Sequence, residues 1–201
     1  MGRCLFMRKG EIHTKPGSRL PSGYTELAYI QSSGTQYINT GFSPNQDTRV
    51  DIDVSHNHAS GSYEMFGADV SWTGNGYSVL AANCHYGTQT TSITTFGDGA
   101  RHTVSLNKNV LSVDGTVKWT ATYSAFSVGH PIAICALNRA GSVAEHSTQN
   151  VYSCQIYDND ALVRDFVPCI NASGEIVLFD VVNRQFYGNA GTGIFTGSEV
   201  A

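Results

Sequence analysis

Charged residues are scarce in this chain of 201 residues, and no part of it concentrates positive charge. Asp, Glu, Lys and Arg make up 14% of the residues, and the formal net charge is -4. Nucleic-acid binding requires a basic face that neutralises phosphate groups. The basic residues of the first twenty positions are too sparse, and too mixed with apolar residues, to build such a face. The composition therefore predicts that nucleic acid is not a partner.

Long apolar runs are also missing. A helix that crosses a bilayer needs about 20 consecutive apolar residues, and no segment of the sequence approaches this length. We therefore expect no membrane partner.

The cysteines show no pairing pattern. There are five, an odd number, scattered along the chain without a C-x-x-C pair. A disulfide framework normally has an even count in a shorter chain, and a zinc site normally has closely spaced pairs. We therefore expect free thiols and synthesis in a reducing cytoplasm.

Helical periodicity is weak, and strand patterns take its place. The chain has 21 glycines, 10 tyrosines and 9 phenylalanines, a composition that suits turns and half-buried strands. In the segment 48–54, Val50, Ile52 and Val54 alternate with charged residues. This alternation predicts a strand with one face in a core and the other in solvent.

Turn signals separate the predicted strands. Asp114-Gly115 between two alternating segments predicts a tight hairpin, and the segments 107–109 and 158–160 predict further turns. The strands predicted later in the chain span 131–137, 150–157, 162–169 and 175–180. No segment between them has the pattern of a crossover helix, so a parallel sheet is not expected. Short, regularly spaced strands predict an all-β fold, a two-sheet antiparallel sandwich.

The sequence divides into two parts. Residues 21–201 are long enough for one β-sandwich domain. Residues 1–20 contain a short apolar strand at 4–7, a turn and a Pro16-Gly17 break. Two interpretations of this N-terminal arm stay open: a disordered terminus, or a hairpin that attaches to a neighbouring subunit. The sequence specifies no oligomeric state, so a homo-oligomer stays open as well.

Several motifs resemble those of a group of structural proteins found in phages and prophages of gut bacteria. The body begins with LPSGYTEL (20–27) and YIQSSGTQYINTG (29–41), and near its end it contains LVRDFVPC (162–169), LFDVVN (178–183) and FYGNAGTG (186–193). In the middle, GARHTVSL (99–106) and LSVDG (111–115) are similar to laminin G-like domains, although Arg101 stands where those domains usually have Trp. The resemblance covers residues 20 to about 197.

This resemblance implies a concanavalin A-like lectin/glucanase fold, a jelly-roll sandwich, behind the short arm. It also implies a bacteriophage virion protein on the virion surface, at a tail tip, tail fibre or capsid, synthesised in the host bacterial cytoplasm. The expected partners are other virion proteins, bound through residues 1–20, and a host cell-surface polysaccharide contacted during host attachment. The alternative is a purely structural role, such as capsid decoration, that involves other virion subunits and no sugar. A third interpretation is adhesion at the bacterial surface by the product of a prophage-derived gene.

The carboxylates do not form a pattern that predicts catalysis. Glucanases of this fold use two carboxylates that flank the bond they cleave. Asp51 and Asp53 share a strand face, but no Glu stands beside them, and Arg49 completes a stripe that is typical of a solvated sheet face. Asp158 and Asp160 fit a turn. We therefore predict a binding protein and not an enzyme.

An aromatic residue in a turn-rich segment is the best candidate for sugar binding, because a pyranose ring stacks its apolar face on an aromatic side chain. Trp72 lies in the segment 71–77, where burial is not expected. The residues predicted to surround it are Tyr77, Asn83, His85 and Tyr86. Trp72 has a second interpretation, a ring that covers an edge of the core. Trp119, Tyr63 and Phe66 are expected to pack in the core.

Calcium is the cofactor that the sequence leaves open. Lectins and laminin G-like domains often bind calcium through Asp, Asn and backbone carbonyl groups that are scattered in sequence. The candidate ligands in Gly-rich turns are Asp69, Asn75, Asp98 and Asn138. His56 and His58 alternate at a strand end, but two imidazoles without a third ligand make a poor zinc site.

Overall fold

The computed structural model describes residues 19–58, 61–80, 82–93 and 97–200, and within these ranges the fold is all-β. Two largely antiparallel sheets pack against each other in a sandwich consistent with a jelly roll, which confirms the predicted fold class. This part of the chain contains no helix that could cross a membrane. The predicted strand at 4–7 and all but the end of the N-terminal arm lie outside the described residues.

The described residues form eighteen strands, numbered in chain order. The larger sheet contains β1 (Thr25–Ser33), β3 (Thr48–His56), β8 (Arg101–Asn107), β9 (Val110–Val113), β10 (Thr116–Thr120), β14 (Thr148–Asp158), β15 (Ala161–Ile170), β16 (Ile176–Asp180), β17 (Gln185–Tyr187) and β18 (Thr196–Glu199). The smaller sheet contains β2 (Ile38–Asn39), β4 (Glu64–Asp69), β5 (Gly76–Leu80), β6 (Asn83–Gly87), β7 (Gln89–Ser92), β11 (Ala133–Ile134), β12 (Leu137–Arg139) and β13 (Ser142–Ala144).

The strand order of each sheet brings distant parts of the chain together. The ten-stranded sheet has the order β10-β9-β8-β3-β14-β1-β15-β16-β17, with β18 beside β1. The eight-stranded sheet has the order β13-β12-β4-β5-β6-β7, with β11 between β2 and β4. β3 therefore lies between β8 and β14, two strands that follow it at very different distances along the chain.

The predictions that rest on side-chain alternation or on turn residues are confirmed. Val50, Ile52 and Val54 of β3 are buried in the core. Asp114 and Gly115, which join β9 to β10, have φ values of 50° and 74°. Positive φ at both central residues is what a type I′ hairpin turn requires. The turn between β14 and β15 likewise uses left-handed residues within the predicted 158–160 segment.

The segment 131–137, predicted as one strand, is broken in the structure. Ala133 of β11 pairs antiparallel with Gly67 of β4, whereas Leu137 of β12 pairs parallel with the same glycine. Between them Cys135 is buried and has a φ of 71°, so the chain reverses direction there. The prediction of one continuous strand is wrong because a single left-handed residue leaves no mark in the apolar pattern. As a result, Arg139 lies opposite Asp69.

Apolar side chains form two clusters. The main core lies between the sheets. The second cluster consists of Leu20, Val167, Cys169, Val177 and Phe179, with Tyr24, Val181 and Phe186 packed against it. Because Phe166 and Leu178 face the main core, strand alternation places their neighbours Val167 and Phe179 on the outer face of the ten-stranded sheet. Leu20 and Tyr24 therefore cover part of that face.

Candidate functional site

Trp72 is exposed, as the sequence predicts. Its side chain lies in the turn between β4 and β5, is 54% exposed, and belongs to neither apolar cluster. The guanidinium carbon of Arg139 lies 5.4 Å from the centre of the Trp72 ring, within the range of a cation–π contact. Trp72 thus presents an open aromatic ring beside a charged side chain.

The two tyrosines predicted beside Trp72 lie inside the core, and the structure corrects the prediction at these positions. Tyr77 and Tyr86 are cross-strand partners on β5 and β6, and both are fully buried. The hydroxyl of Tyr77 donates to the Thr48 carbonyl oxygen at 2.8 Å, and that of Tyr86 donates to the Gln46 carbonyl oxygen at 3.1 Å. Neither ring has a face that a sugar could contact.

The two polar residues of the predicted site are occupied by structural contacts. His85 is buried, and its ring lies so close to Gly76 that a Cβ atom there would overlap it. Its Nε2 atom is 3.1 Å from the Gly74 carbonyl oxygen, and burial lowers the pKa of its imidazole. The Asn83 side-chain oxygen accepts a hydrogen bond from Ser92 at 3.2 Å. Of the five predicted residues, Trp72 alone offers an open ring.

The predicted calcium ligands do not converge. Asp69 and Asn138 lie on neighbouring strands, but Asp98 lies beside His102 of the other sheet. Both carboxylate oxygens of Asp69 accept hydrogen bonds from the Arg139 guanidinium group, a cation that takes the place a calcium ion would need. In the described ranges no three His, Cys, Asp or Glu residues group to hold a metal ion. These residues therefore do not fit a calcium site.

The histidine pair near the end of β3 is also structural. His58 stacks on Tyr63 with ring centres 3.7 Å apart, and its Nε2 accepts a hydrogen bond from the Thr148 amide at 3.0 Å. His56 is buried in the core, and burial lowers the pKa of its imidazole to about 4. Tyr63 is partly exposed, so the prediction that it packs in the core is wrong, whereas Phe66 is buried as predicted and Trp119 packs against the core while partly exposed.

A concave feature lies elsewhere, on the outer face of the ten-stranded sheet. It is a cavity of about 370 Å³, here called the polar groove. The side chains that line it are mostly charged or hydroxyl-bearing: Arg49, Asp51, Asp53, Thr103, Ser105, Ser112, Ser153 and Gln155. The groove thus combines concavity with a set of polar side chains.

Strand register builds the groove. Asp51 of β3 lies between Ser105 of β8 and Gln155 of β14. Two residues further along β3, on the same face, Asp53 lies between Thr103 and Ser153. The outward alternation of β3 therefore supplies the carboxylates, and the two flanking strands supply the hydroxyl and amide groups.

Both groove carboxylates are held by arginine. Asp51 accepts hydrogen bonds from Arg49 and, at 2.6 Å, from the Ser105 hydroxyl. Arg101 donates to both oxygens of Asp53, at 2.8 and 2.6 Å. The two hydrogen bonds from Arg101 fix the orientation of Asp53, and each arginine balances the charge of its carboxylate.

An arginine–tyrosine stack lies at each end of the groove. The guanidinium carbon of Arg101 is 3.9 Å from the centre of the Tyr152 ring, and that of Arg49 is 4.6 Å from the centre of the Tyr157 ring. Arg49 is on β3 and Arg101 lies opposite Ser55 of the same strand. At a rise of about 3.4 Å per residue, the backbone positions of the two arginines are roughly 20 Å apart along β3, and both guanidinium groups reach inward to the groove carboxylates.

Comparison with known proteins adds no assignment. No protein-family model matches the chain, and no curated protein matches it in sequence. The groove and the motifs described above are therefore the basis for assigning a function.

Proposed function

We propose that this chain is a phage virion surface domain that binds a host-surface glycan in the polar groove, without catalysis. The observation that carries the proposal is the groove itself, an open channel lined by oriented carboxylate, guanidinium, hydroxyl and amide groups. The motif resemblance supplies the phage context. The proposal moves the glycan site from Trp72 to the opposite sheet.

The chemistry of the groove matches a hydroxyl-rich ligand. A glycan offers many donors and acceptors at short spacing, and a carboxylate or amide side chain can bond adjacent hydroxyl groups at once. The groove presents such groups in two successive rows, around Asp51 and Asp53. The residues of β3 that line it, Arg49 to Asp53, span roughly 14 Å.

The same contacts argue against glycoside hydrolysis. That reaction needs one carboxyl group that can give a proton to the leaving oxygen. In the groove, both oxygens of Asp53 accept hydrogen bonds from Arg101, and the oxygens of Asp51 accept from Arg49 and Ser105. The carboxylates are thereby held as acceptors, which suits binding.

A glycan array of host-type surface polysaccharides, probed with the purified chain, tests the proposal. Ser112→Trp fills the groove from β9 without removing a hydrogen bond shown for that side chain. We expect it to weaken glycan binding at least tenfold, because a bulky ring takes the space of the ligand. Ser142→Trp, at an exposed position of the other sheet, is the matched control and should bind like the wild type.

The remaining outcomes distinguish the alternatives. Loss of binding in Trp72→Ala, with Ser112→Trp unaffected, would return the glycan site to Trp72. Chelation of calcium should leave binding unchanged. If a folded wild-type protein binds no polysaccharide on the array, the proposal fails, and the structural role in the virion becomes the better one.

A further inference from the structure

A carboxylate outside the polar groove is bonded to a residue that lines it. Asp165 of β15 is nearly buried and does not line the groove. Its Oδ1 atom accepts a hydrogen bond at 3.2 Å from the side-chain nitrogen of Gln155, which does line the groove. The side-chain oxygen of Gln155 accepts a hydrogen bond at 3.0 Å from the Tyr157 hydroxyl. Both ends of the Gln155 amide are thereby held.

The carboxylate determines which way the Gln155 amide points. An ionised Asp side chain only accepts hydrogen bonds, so it bonds the amide nitrogen and not the amide oxygen. Each end of the amide has one hydrogen-bonding position left after these contacts, an N–H on the nitrogen and a lone pair on the oxygen. A donor and an acceptor side by side complement two adjacent hydroxyl groups of a sugar.

Asp165 is also bonded to the segment that precedes β1. Its Oδ2 atom accepts a hydrogen bond from Arg19 at 3.0 Å. Arg19 directly precedes Leu20, which packs in the second apolar cluster on the same outer face. The backbone amide of Asp165 donates to Asp180 at 3.0 Å, so the strand position is held independently of the Asp165 side chain.

We propose that Asp165 is a positioning residue of the polar groove: it orients the Gln155 amide for contact with adjacent sugar hydroxyl groups, and Arg19 links that orientation to the N-terminal segment. The inference rests on the proposed glycan site. It also gives a role to Arg19, at the end of the N-terminal arm. A partner that displaces Arg19 would change the contacts of Asp165.

A double-mutant cycle tests the inference by isothermal titration with the array glycan that binds most tightly. Asp165→Ala should weaken binding about three- to tenfold, the usual range for one hydrogen bond. In a Gln155→Ala background it should cause no further loss, because the residue through which it acts is gone. Asp165→Asn keeps an acceptor and should recover most of the affinity. Arg19→Ala should weaken binding by about twofold, as expected for an exposed ion pair.

Asp160→Ala is the matched control. It also removes a carboxylate from an ion pair, with Lys108 at 2.9 Å, but this carboxylate is not the one that bonds Gln155. We expect its affinity to equal that of the wild type. Equal losses for Asp165→Ala in the wild-type and Gln155→Ala backgrounds would overturn the inference, since Asp165 would then act without Gln155.

A second measurement does not depend on the ligand. In the free protein, the Gln155 side-chain amide proton that bonds Asp165 should show slowed hydrogen exchange and a downfield-shifted NMR signal. Both features should be lost in Asp165→Ala and kept in Asp160→Ala. If Asp165→Ala leaves this signal unchanged, the positioning role is wrong. If no glycan binds, the proposed function fails, while the NMR result still decides whether Asp165 orients Gln155.

Discussion

The two outer faces of the sandwich both carry charged and polar side chains, but they differ in how far these side chains are exposed to solvent. On the ten-stranded sheet, the carboxylates of the polar groove are partly exposed, and each is hydrogen-bonded to an arginine. On the eight-stranded sheet, the space above Gly67 and Gly76 is filled by Glu64 and His85, and both side chains are buried. The groove side is therefore an accessible polar surface. The outer face of the eight-stranded sheet, where Glu64 and His85 are buried, is here called the closed face.

The difference is most evident in the carboxylates. Neither oxygen of Glu64 makes a hydrogen bond of ordinary geometry, although the Ser78 hydroxyl is close enough to offset part of the effect of burial on the Glu64 pKa. Asp69 and Glu145 share Arg139 as their cation. In the groove, water can bond the polar atoms that have no partner in the protein. On the closed face, water cannot reach such atoms. The closed face should therefore dominate stability, and the groove should dominate binding.

The largest effect should come from the arginine of the closed face. Arg139→Ala leaves Asp69, which is 2% exposed, without its charged partner. Removing one partner of a buried ion pair costs about 3 to 5 kcal/mol. Arg101→Ala removes an equally well-formed pair in the groove, but Arg101 is 58% exposed, and such pairs contribute up to about 1 kcal/mol.

Guanidinium chloride unfolding of both variants measures this contrast. The midpoint of Arg139→Ala should fall well below that of Arg101→Ala, with similar slopes. Equal losses in the free energy of unfolding would show that the two faces are equally hydrated, and the comparison would fail.

The loss of stability as the pH rises should also come mainly from the closed face. Burial raises the pKa of Glu64 well above its ordinary value of 4.5, so the folded chain holds this proton more tightly than the unfolded chain. The resulting stability is fully present below pH 4.5 and is lost as the pH rises toward the folded pKa. Glu64→Gln removes the titrating group, and its melting temperature should fall less between pH 5 and pH 9 than that of the wild type.

Thermal melts across this pH range measure the slope. Gly188→Ala keeps every titratable group and should keep the wild-type slope. A Glu64→Gln protein with the wild-type slope would mean that Glu64 is solvated in the folded chain, contrary to its burial.

The parts of the fold that the sequence predicts are those controlled by neighbouring residues. The alternation of Val50, Ile52 and Val54 identifies β3 and its outward carboxylates, because side-chain direction in a strand has a period of two. Asp114 and Gly115 identify a hairpin because their turn requires positive φ at both positions.

The candidate site depends on pairings between distant segments, which no local pattern encodes. Asp51 lies beside Gln155 only because β3 pairs with β14, and that pairing follows from the packing of the whole sheet. The short strands that contain Tyr77 and Tyr86 do not indicate in sequence which face is the core, so both tyrosines are predicted beside Trp72, whereas they lie in the core. Loop composition favoured an exposed Trp72 and left open a ring that covers an edge of the core; in the structure Trp72 is 54% exposed.

The smallest effect, and the most local test of the closed face, concerns the glycine beneath Glu64. A Cβ atom at Gly67 would overlap the Cβ atom of Ser78 and lie 2.7 Å from the Glu64 Oε1 atom. Gly67→Ala should therefore reduce the free energy of unfolding by about 1 to 3 kcal/mol, the usual cost of overpacking. At Gly188 a Cβ atom would meet Val177 at an ordinary 3.8 Å, so Gly188→Ala should be nearly neutral in urea unfolding. If Gly67→Ala were equally neutral, the packing above β4 would be loose enough to admit water. Glu64 would then be hydrated, and its burial would no longer distinguish this face from the groove.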